Sequence, residues 1–120
     1  PRSTLFPFTT LFRSLLLDVP CSGLGVLRRN PDTKWKLSVE EIERLKTTQR
    51  EILTNFSSMT KIGGKMVYAT CSILPSEGED QVKWFLNQTE DKWKFIGEKR
   101  YSPETYFADG FYMALLQREK

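Results

Sequence analysis

The 120-residue chain has 39% hydrophobic and 28% charged residues, a composition typical of a single globular domain. Two cysteines are too few for a disulfide framework, and the absence of histidine excludes Ser-His-Asp sites, Cys-His sites and zinc sites that need histidine. No apolar run approaches the roughly 18 residues that span a bilayer. We therefore expect a cytoplasmic protein with neither a metal site nor a membrane partner.

The first fourteen residues look foreign to the rest of the chain. Residues 4–14 resemble the conceptual translation of a sequencing adapter, and Pro7 and Arg13 interrupt the apolar stretch that a signal peptide would need. We predict an extraneous leader over residues 1–14 and a domain over residues 15–120. Without Arg2 and Arg13 the 18 basic residues fall to 16 against 15 acidic residues, so the net charge drops from +3 to +1. Local clustering, not total charge, must then indicate any nucleic-acid partner.

The first predicted element is a short parallel strand. Residues 15–19 are apolar apart from Asp18 and end at Pro20, which is typical of a buried strand in a parallel sheet. Cys21 follows this strand directly. Residues 26–37 then predict a loop with a basic and aromatic cluster, formed by Arg28, Arg29, Lys34, Trp35 and Lys36.

Two helices and three further strands are predicted downstream. Ser38 and Glu41 form a capping box before apolar residues at helical spacing, and Gly63-Gly64 predicts the end of that helix. Residues 65–70 predict a strand that ends just before Cys71. Residues 76–79 predict a second capping box, which begins a helix that continues through Leu86. Strands over 93–96 and 111–116 flank a polar loop over 99–109, and Arg100 is expected to be solvated. This order implies an α/β fold with parallel βαβ units and an antiparallel closing hairpin.

Both cysteines come just after a predicted strand. In an open α/β sheet the ligands and the chemistry gather beyond the carboxyl ends of the strands. Cys21 and Cys71 are therefore candidates for nucleophilic catalysis, although buried inert cysteines and a redox pair are alternatives, the latter without a Cys-x-x-Cys motif. Asp18, beside Cys21, is a candidate site residue or merely a strand-ending residue that bonds a turn amide.

Three stretches resemble one enzyme family. Residues 18–35, with Asp18-Val19-Pro20-Cys21-Ser22-Gly23 and Arg28-Arg29-Asn30-Pro31-Asp32, are similar to the fourth motif of the RNA cytosine-5 methyltransferases. Residues 63–77, with Ala69-Thr70-Cys71-Ser72, resemble their sixth motif, and residues 109–114 their closing strand. The Arg-Arg-x-Pro-Asp element favours the bacterial branch that modifies small-subunit ribosomal RNA. One departure is Gly78, where many relatives have asparagine.

The resemblance implies a fold, a cofactor and a reaction. The fold is the later half of a Rossmann-like methyltransferase domain that uses S-adenosylmethionine, while the glycine-rich cofactor loop and an RNA-binding region belong to earlier segments. The reaction is methylation of carbon five of cytosine in RNA, with ribosomal RNA as the expected substrate. Cys71 corresponds to the nucleophile, Cys21 to the residue that helps to break the enzyme–RNA adduct, and Asp18 to a residue of the cofactor and base site. A fragment of this length is expected to be inactive by itself.

RNA contacts are expected at two places. Arg28, Arg29 and Lys34 suit phosphate groups, and Trp35 suits stacking on an unpaired base, although an ordinary solvated loop is the alternative. Phe111, by resemblance, stacks on the flipped cytosine, with a core aromatic as the alternative. Two rival functions are DNA cytosine-5 methylation, where the Pro-Cys motif supplies the nucleophile, and a non-catalytic RNA-binding fragment.

Overall fold

The computed structural model describes residues 11–22, 38–101 and 110–120. The helices and strands in these ranges are β1 (Phe12–Asp18), α1 (Val39–Ser57), β2 (Thr60–Thr70), α2 (Glu79–Thr89), β3 (Trp93–Tyr101) and β4 (Phe111–Arg118). Short 3-10 turns at Pro75–Glu77 and Glu90–Lys92 flank α2. The element order predicted from the sequence is thus confirmed. Neither of the two described helices has the length and apolar character needed to cross a bilayer.

The four strands form one mixed sheet in the order β1-β2-β4-β3. β1 and β2 are parallel neighbours joined through α1, as expected of a βαβ unit. β4 lies between β2 and β3 and runs antiparallel to both, so β3 points in the same direction as β2. The predicted α/β class, with parallel strands, helices and an antiparallel closing strand, is confirmed.

The two helices cover one face of this sheet. Leu53 of α1 and Val82 and Phe85 of α2 belong to a single buried cluster with the inward-facing side chains of β2 and β4. Burial alternates along β4, because successive side chains of a strand point to opposite faces. Phe85 also packs edge-to-face on Trp93, with ring centroids 5.4 Å apart. The core therefore lies between the sheet and the two helices.

The opposite face of the sheet is open in the described part of the chain. Leu16 is 67% exposed, although residues 15–19 were expected to form a buried strand. Leu16 pairs in register with Val67, and Val67 pairs with Leu115, so these side chains form an apolar row across three strands. The expectation of burial was wrong for this face, because β1 is an edge strand here and only Leu17 and Val19 are buried.

β1 also begins earlier than expected, at Phe12 instead of Leu15. The Phe12 amide donates to the Met59 carbonyl (2.8 Å), and Ser14 pairs with Lys65 of β2. Residues 12–14 therefore lie in the sheet, although the sequence placed the leader boundary at residue 14. The reason is that strand pairing uses backbone groups and an 11-residue β2 offers partners beyond Leu15, whatever the side chains are.

Gly63 and Gly64 lie inside β2, so the prediction that they stop the preceding helix was wrong. α1 ends at Ser57, and the register between β1 and β2 shifts between Phe12 and Ser14, opposite these glycines. Gly63 has φ +88°, and a Cβ on Gly64 would lie 3.0 Å from the Arg13 carbonyl oxygen. The glycines therefore serve an irregular bulge where two backbones approach closely.

The two predicted capping boxes have different outcomes. The Ser38 hydroxyl accepts from the Glu41 amide (3.1 Å), which confirms the N-cap of α1, while the Glu41 carboxylate binds Arg44 instead of reaching back. The second box was wrong, because α2 begins at Glu79 with Gly78 as its N-cap and no capping side chain.

Candidate functional site

The sheet brings the two cysteine motifs to one edge. Asp18, the last residue of β1, pairs with Ala69 of β2, and the Val19 amide donates to the Ala69 carbonyl (3.0 Å). Cys21 follows three residues after Asp18, and Cys71 follows the end of β2 at Thr70. Because β1 and β2 are parallel, both cysteines leave the sheet at its carboxyl edge, where sequence analysis placed them.

The serines that follow the two cysteines contact each other and share one carboxylate. The hydroxyl oxygens of Ser22 and Ser72 are 3.5 Å apart. The Ser22 amide donates to Oε2 of Glu77 (2.8 Å), and the Ser72 hydroxyl donates to Oε1 of the same residue (2.8 Å). Ser22, Ser72 and Glu77 are all buried. One carboxylate therefore joins the loops after β1 and β2.

Helix α1 supplies a further contact to this carboxylate. Nε2 of Gln49 donates to Oε2 of Glu77 (3.1 Å) and to the Pro20 carbonyl (2.9 Å). Gln49 is completely buried and its Oε1 accepts from Nε2 of Gln81 in α2 (2.9 Å). Pro20 and Ser22, the two neighbours of Cys21, are thereby fixed by Gln49 and Glu77.

Arg100 holds the second cysteine loop from β3. It donates to the Ser72 carbonyl, forms an ion pair with Glu79 (2.5 Å), and lies over the Tyr112 ring at 5.0 Å from its centroid. The expectation that Arg100 is solvated was therefore wrong. β3 extends to Tyr101, beyond the predicted residue 96, and this extension carries Arg100 to the cysteine edge.

Two ionisable side chains near this edge have shifted pKa values. Burial raises the pKa of Tyr68, and electrostatic interactions with the neighbouring Glu77 and Cys21 raise it further, so its hydroxyl stays protonated and donates to the Glu77 carbonyl (2.7 Å). Burial acts to raise the pKa of Glu79, but hydrogen bonds from Arg100 and from its own backbone amide outweigh burial and lower it.

The predicted site residues are more exposed than the buried residues Ser22, Ser72 and Glu77 that fix their loops. Asp18 is exposed, and Cys21 and Cys71 are half-buried, neither of them in a disulfide. Phe111 is half-buried at the start of β4, next to Tyr112, which pairs with Thr70 at the end of β2. The candidate reactive groups are thus accessible from solvent, while the residues after the cysteines are fixed in the interior.

The basic and aromatic cluster lies outside the described residues. The RNA contacts predicted for Arg28, Arg29, Lys34 and Trp35 are therefore not tested by the structure.

Three residues of this site were not predicted from the sequence: Glu77, Gln49 and Arg100. Glu77 was assigned to a capping box, whereas the structure places it in the 3-10 turn Pro75–Glu77 with its side chain turned inward. A usable signal was the repeated dipeptide Cys-Ser, at 21–22 and 71–72, which hints at a shared partner for the two serines.

The chain is similar in sequence to one protein family and to its curated members. Residues 3–117 match the family model described as 16S rRNA methyltransferase RsmB/F. A ribosomal RNA small subunit methyltransferase B from Proteus mirabilis is 44% identical over 108 residues, which make up 90% of this chain and 25% of that protein.

Two solved structures are similar to the described fold. The crystal structure of PH0851 superposes with a TM-score of 0.86 at 31% identity, over 91% of this chain and 27% of that one. NSun6 from Pyrococcus horikoshii with SFG gives a TM-score of 0.73 at 28% identity, over 88% and 29% of the two chains. This chain spans about a quarter of the length of these relatives.

Proposed function

Because this chain belongs to the 16S rRNA methyltransferase RsmB/F family, we propose that it carries the cysteine site of an S-adenosylmethionine-dependent RNA methyltransferase. The reaction is methylation of carbon five of cytosine in ribosomal RNA. The observation that supports it most is the convergence of the Cys21 and Cys71 loops on Glu77 at the carboxyl edge of the sheet.

The proposed chemistry is covalent. Carbon five of cytosine is too weakly nucleophilic to accept a methyl group unaided. Addition of the Cys71 thiolate to carbon six forms an S–C bond and breaks the π bond between carbons five and six, whose electrons make carbon five nucleophilic. This divides one difficult step into two easier ones. Once carbon five carries the methyl group and the demethylated cofactor has left as a thioether, a base takes the proton from carbon five. The double bond then re-forms, the S–C bond breaks and its electron pair returns to Cys71 as thiolate, and Cys21 assists this release.

The residues at the edge fit one side of the cofactor. Asp18 presents an exposed carboxylate at the end of β1, beside the cysteine loops, where it suits an amine or amino group of the ligand. The similarity to NSun6 with SFG, an analogue of S-adenosylmethionine, supports this cofactor. When bound, S-adenosylmethionine supplies an electrophilic methyl group on a sulfonium. We assign its remaining contacts, including the glycine-rich loop, to parts of the protein beyond this chain.

RNA recognition combines two regions in this proposal. Arg28, Arg29 and Lys34 bind phosphate groups and Trp35 stacks on an unpaired base. Phe111, half-buried at the cysteine edge, stacks on the cytosine after it leaves the helix.

The test uses a segment-exchange enzyme: the full-length Proteus mirabilis relative with its matched segment replaced by residues 11–120 of this chain. We expect it to methylate 16S ribosomal RNA at carbon five of cytosine, as read by bisulfite sequencing, whereas the chain alone is inactive. The Cys71→Ala variant should lose both methylation and any covalent RNA complex. The Cys21→Ala variant should accumulate a protein–RNA adduct that survives denaturing electrophoresis.

The control is the double variant, which should form no adduct, because the nucleophile is missing. An adduct with Cys71→Ala but not with Cys21→Ala would reverse the two roles and favour the DNA-methyltransferase alternative. Undiminished methylation in both single variants would reject covalent catalysis by these cysteines. A folded enzyme that binds RNA without methylating it would favour the non-catalytic alternative.

A further inference from the structure

Glu77 is a completely buried carboxylate at the meeting point of both cysteine loops. Within the described residues its carboxylate accepts from three neutral donors: the Ser22 amide, the Ser72 hydroxyl and the Gln49 side-chain amide. Burying a carboxylate costs free energy unless hydrogen bonds compensate for lost hydration. Two of these three donors belong to residues that directly follow a cysteine, so the compensation comes from the site itself.

The contacts fix the backbone on both sides of Cys21. On the side before it, the Pro20 carbonyl accepts from Gln49 (2.9 Å), and on the side after it, the Ser22 amide donates to Glu77 (2.8 Å). Gln49 itself donates to Glu77, so the Glu77 carboxylate contributes to the restraint on both sides of Cys21.

Cys71 is held in the same way on its two sides. Thr70 before it is paired with Tyr112 in the sheet. After it, the Ser72 hydroxyl donates to Glu77 (2.8 Å) and also accepts from the Leu74 amide (3.0 Å). Glu77 therefore bonds directly to both loops at 2.8 Å, whereas the other direct link described above, between the Ser22 and Ser72 hydroxyls, is longer at 3.5 Å.

We propose that Glu77 is a positioning residue that fixes Cys21 and Cys71 relative to each other, acting through Ser22 and Ser72. This inference rests on the proposed function, in which one thiol attacks the cytosine and the other releases it. Both thiols must then reach a single base in turn, and a displacement of about 1 Å is enough to cost such a site about 100-fold in rate.

The first experiment tests the positioning itself and needs no enzyme activity. Hydrogen exchange at the Ser22 amide and iodoacetamide alkylation of Cys21 and Cys71 are measured by mass spectrometry on this chain. The Glu77→Ala variant should speed exchange at Ser22 by about tenfold or more and change the alkylation rates of both cysteines, because the amide loses its acceptor. The Ser72→Ala variant should alter Cys71 alone and leave the Ser22 amide protected.

Leu53→Ala is the matched control. Leu53 is as deeply buried as Glu77, but its side chain belongs to the apolar core cluster and forms no hydrogen bond to the cysteine loops or to Gln49. Its variant should leave Ser22 exchange and both alkylation rates within about twofold once global stability is matched with urea. Equal effects of Leu53→Ala and Glu77→Ala would overturn the proposal, as would unchanged protection of Ser22 in Glu77→Ala.

The second experiment uses the segment-exchange enzyme and Glu77→Gln, which keeps the shape and one acceptor oxygen. We expect kcat to fall about 10- to 100-fold in Glu77→Ala with KM for RNA within about twofold, and Glu77→Gln to recover part of kcat. Wild-type kcat in Glu77→Ala would overturn the proposal. An inactive segment-exchange enzyme before mutation would count against the proposed function alone, and Ser22 exchange would still decide the positioning role.

Discussion

Thr70, the residue before Cys71, carries a fully buried hydroxyl without a hydrogen-bond partner among the described residues. A buried polar group without a partner costs about 1–3 kcal/mol. We expect Thr70→Val to raise the free energy of unfolding by about 1 kcal/mol, measured by urea denaturation. Thr70→Ser, which keeps the hydroxyl and removes a methyl group, is the control and should lower it. A loss of stability in Thr70→Val would mean that the hydroxyl is satisfied.

Gly78 makes room for a buried aromatic ring. A Cβ at this position would lie 2.9 Å from Cδ2 of Tyr112, whose side chain is completely buried. Gly78→Ala should therefore lower the free energy of unfolding by about 1–3 kcal/mol, measured in urea. Gly97→Ala is the matched control, because nothing lies within 4 Å of its Cβ position, and it should be neutral or stabilising. Equal effects of the two variants would contradict this account.

Glu79 links stability to acid pH through Arg100. Its folded-state pKa lies below the ordinary value of 4.5, because the hydrogen bonds from Arg100 outweigh burial. The stabilisation is therefore present above pH 4.5 and is lost as the pH falls through the lowered pKa. Urea denaturation at pH 7, 4.5 and 3 should show a smaller acid loss in Glu79→Gln than in the wild type. Glu51→Gln, at an exposed position of α1, should leave the acid limb unchanged.

Some residues of the site were predictable from the sequence and others were not. Cys21 and Cys71 could be placed at one edge because each follows an apolar strand, and parallel strands end at the same edge. The role of Glu77 could not be predicted, because Ser22 lies 55 residues away in the sequence and the local pattern suggested a helix cap. The role of Arg100 could not be predicted either, because Ser72 lies 28 residues away and the local pattern suggested a solvated arginine.

At the scale of secondary-structure elements, β1 begins earlier than the sequence predicts. The structure pairs residues 12–14 with β2, whereas the sequence predicts a foreign leader through residue 14. Removing residues 1–10 should change the free energy of unfolding by less than about 0.5 kcal/mol, because the first residues of a chain usually contribute little to stability. Removing residues 1–14 should lower it by about 1 kcal/mol or more, because the Phe12–Met59 backbone hydrogen bond and the end of the strand are lost. Equal melting curves for the two truncations would restore the boundary at residue 14.

Element boundaries were predictable where one local pattern dominates. The start of α1 was predictable from the Ser38 cap and the apolar spacing that follows it. Its end was predicted too late, because Gly63-Gly64 does not stop the helix but lies in the bulge between β1 and β2. The position of a bulge depends on which backbone segment pairs with the glycines, and the local sequence pattern does not reveal that segment.

At the scale of the whole molecule, an apolar sheet face stands beside an unpaired strand edge. Leu16, Val67 and Leu115 form a row on the face that no described helix covers, and β1 has a neighbour on one side only within the described ranges. The order of the elements was predictable, and so was an uncovered strand edge, because residues 15–19 suit a central strand of a larger parent sheet. The exposure of Leu16 was not predicted, because the burial of β1 was inferred from its apolar composition. Exposed apolar rows and free strand edges favour self-association.

We therefore expect the chain by itself to associate, and Leu16→Lys to reduce that association. A lysine on this face introduces charge where two copies would bury apolar surface, and Leu16 is 67% exposed, so the substitution disturbs little of the core. Sedimentation velocity over a range of protein concentrations should show a shift toward monomer. Ile62→Lys is the matched control, because Ile62 has the same 67% exposure but lies in the bulge segment outside the row, and it should leave association unchanged. A wild-type chain that sediments as a monomer and unfolds in one sharp reversible transition would contradict the expectation, because the open face would then need no cover.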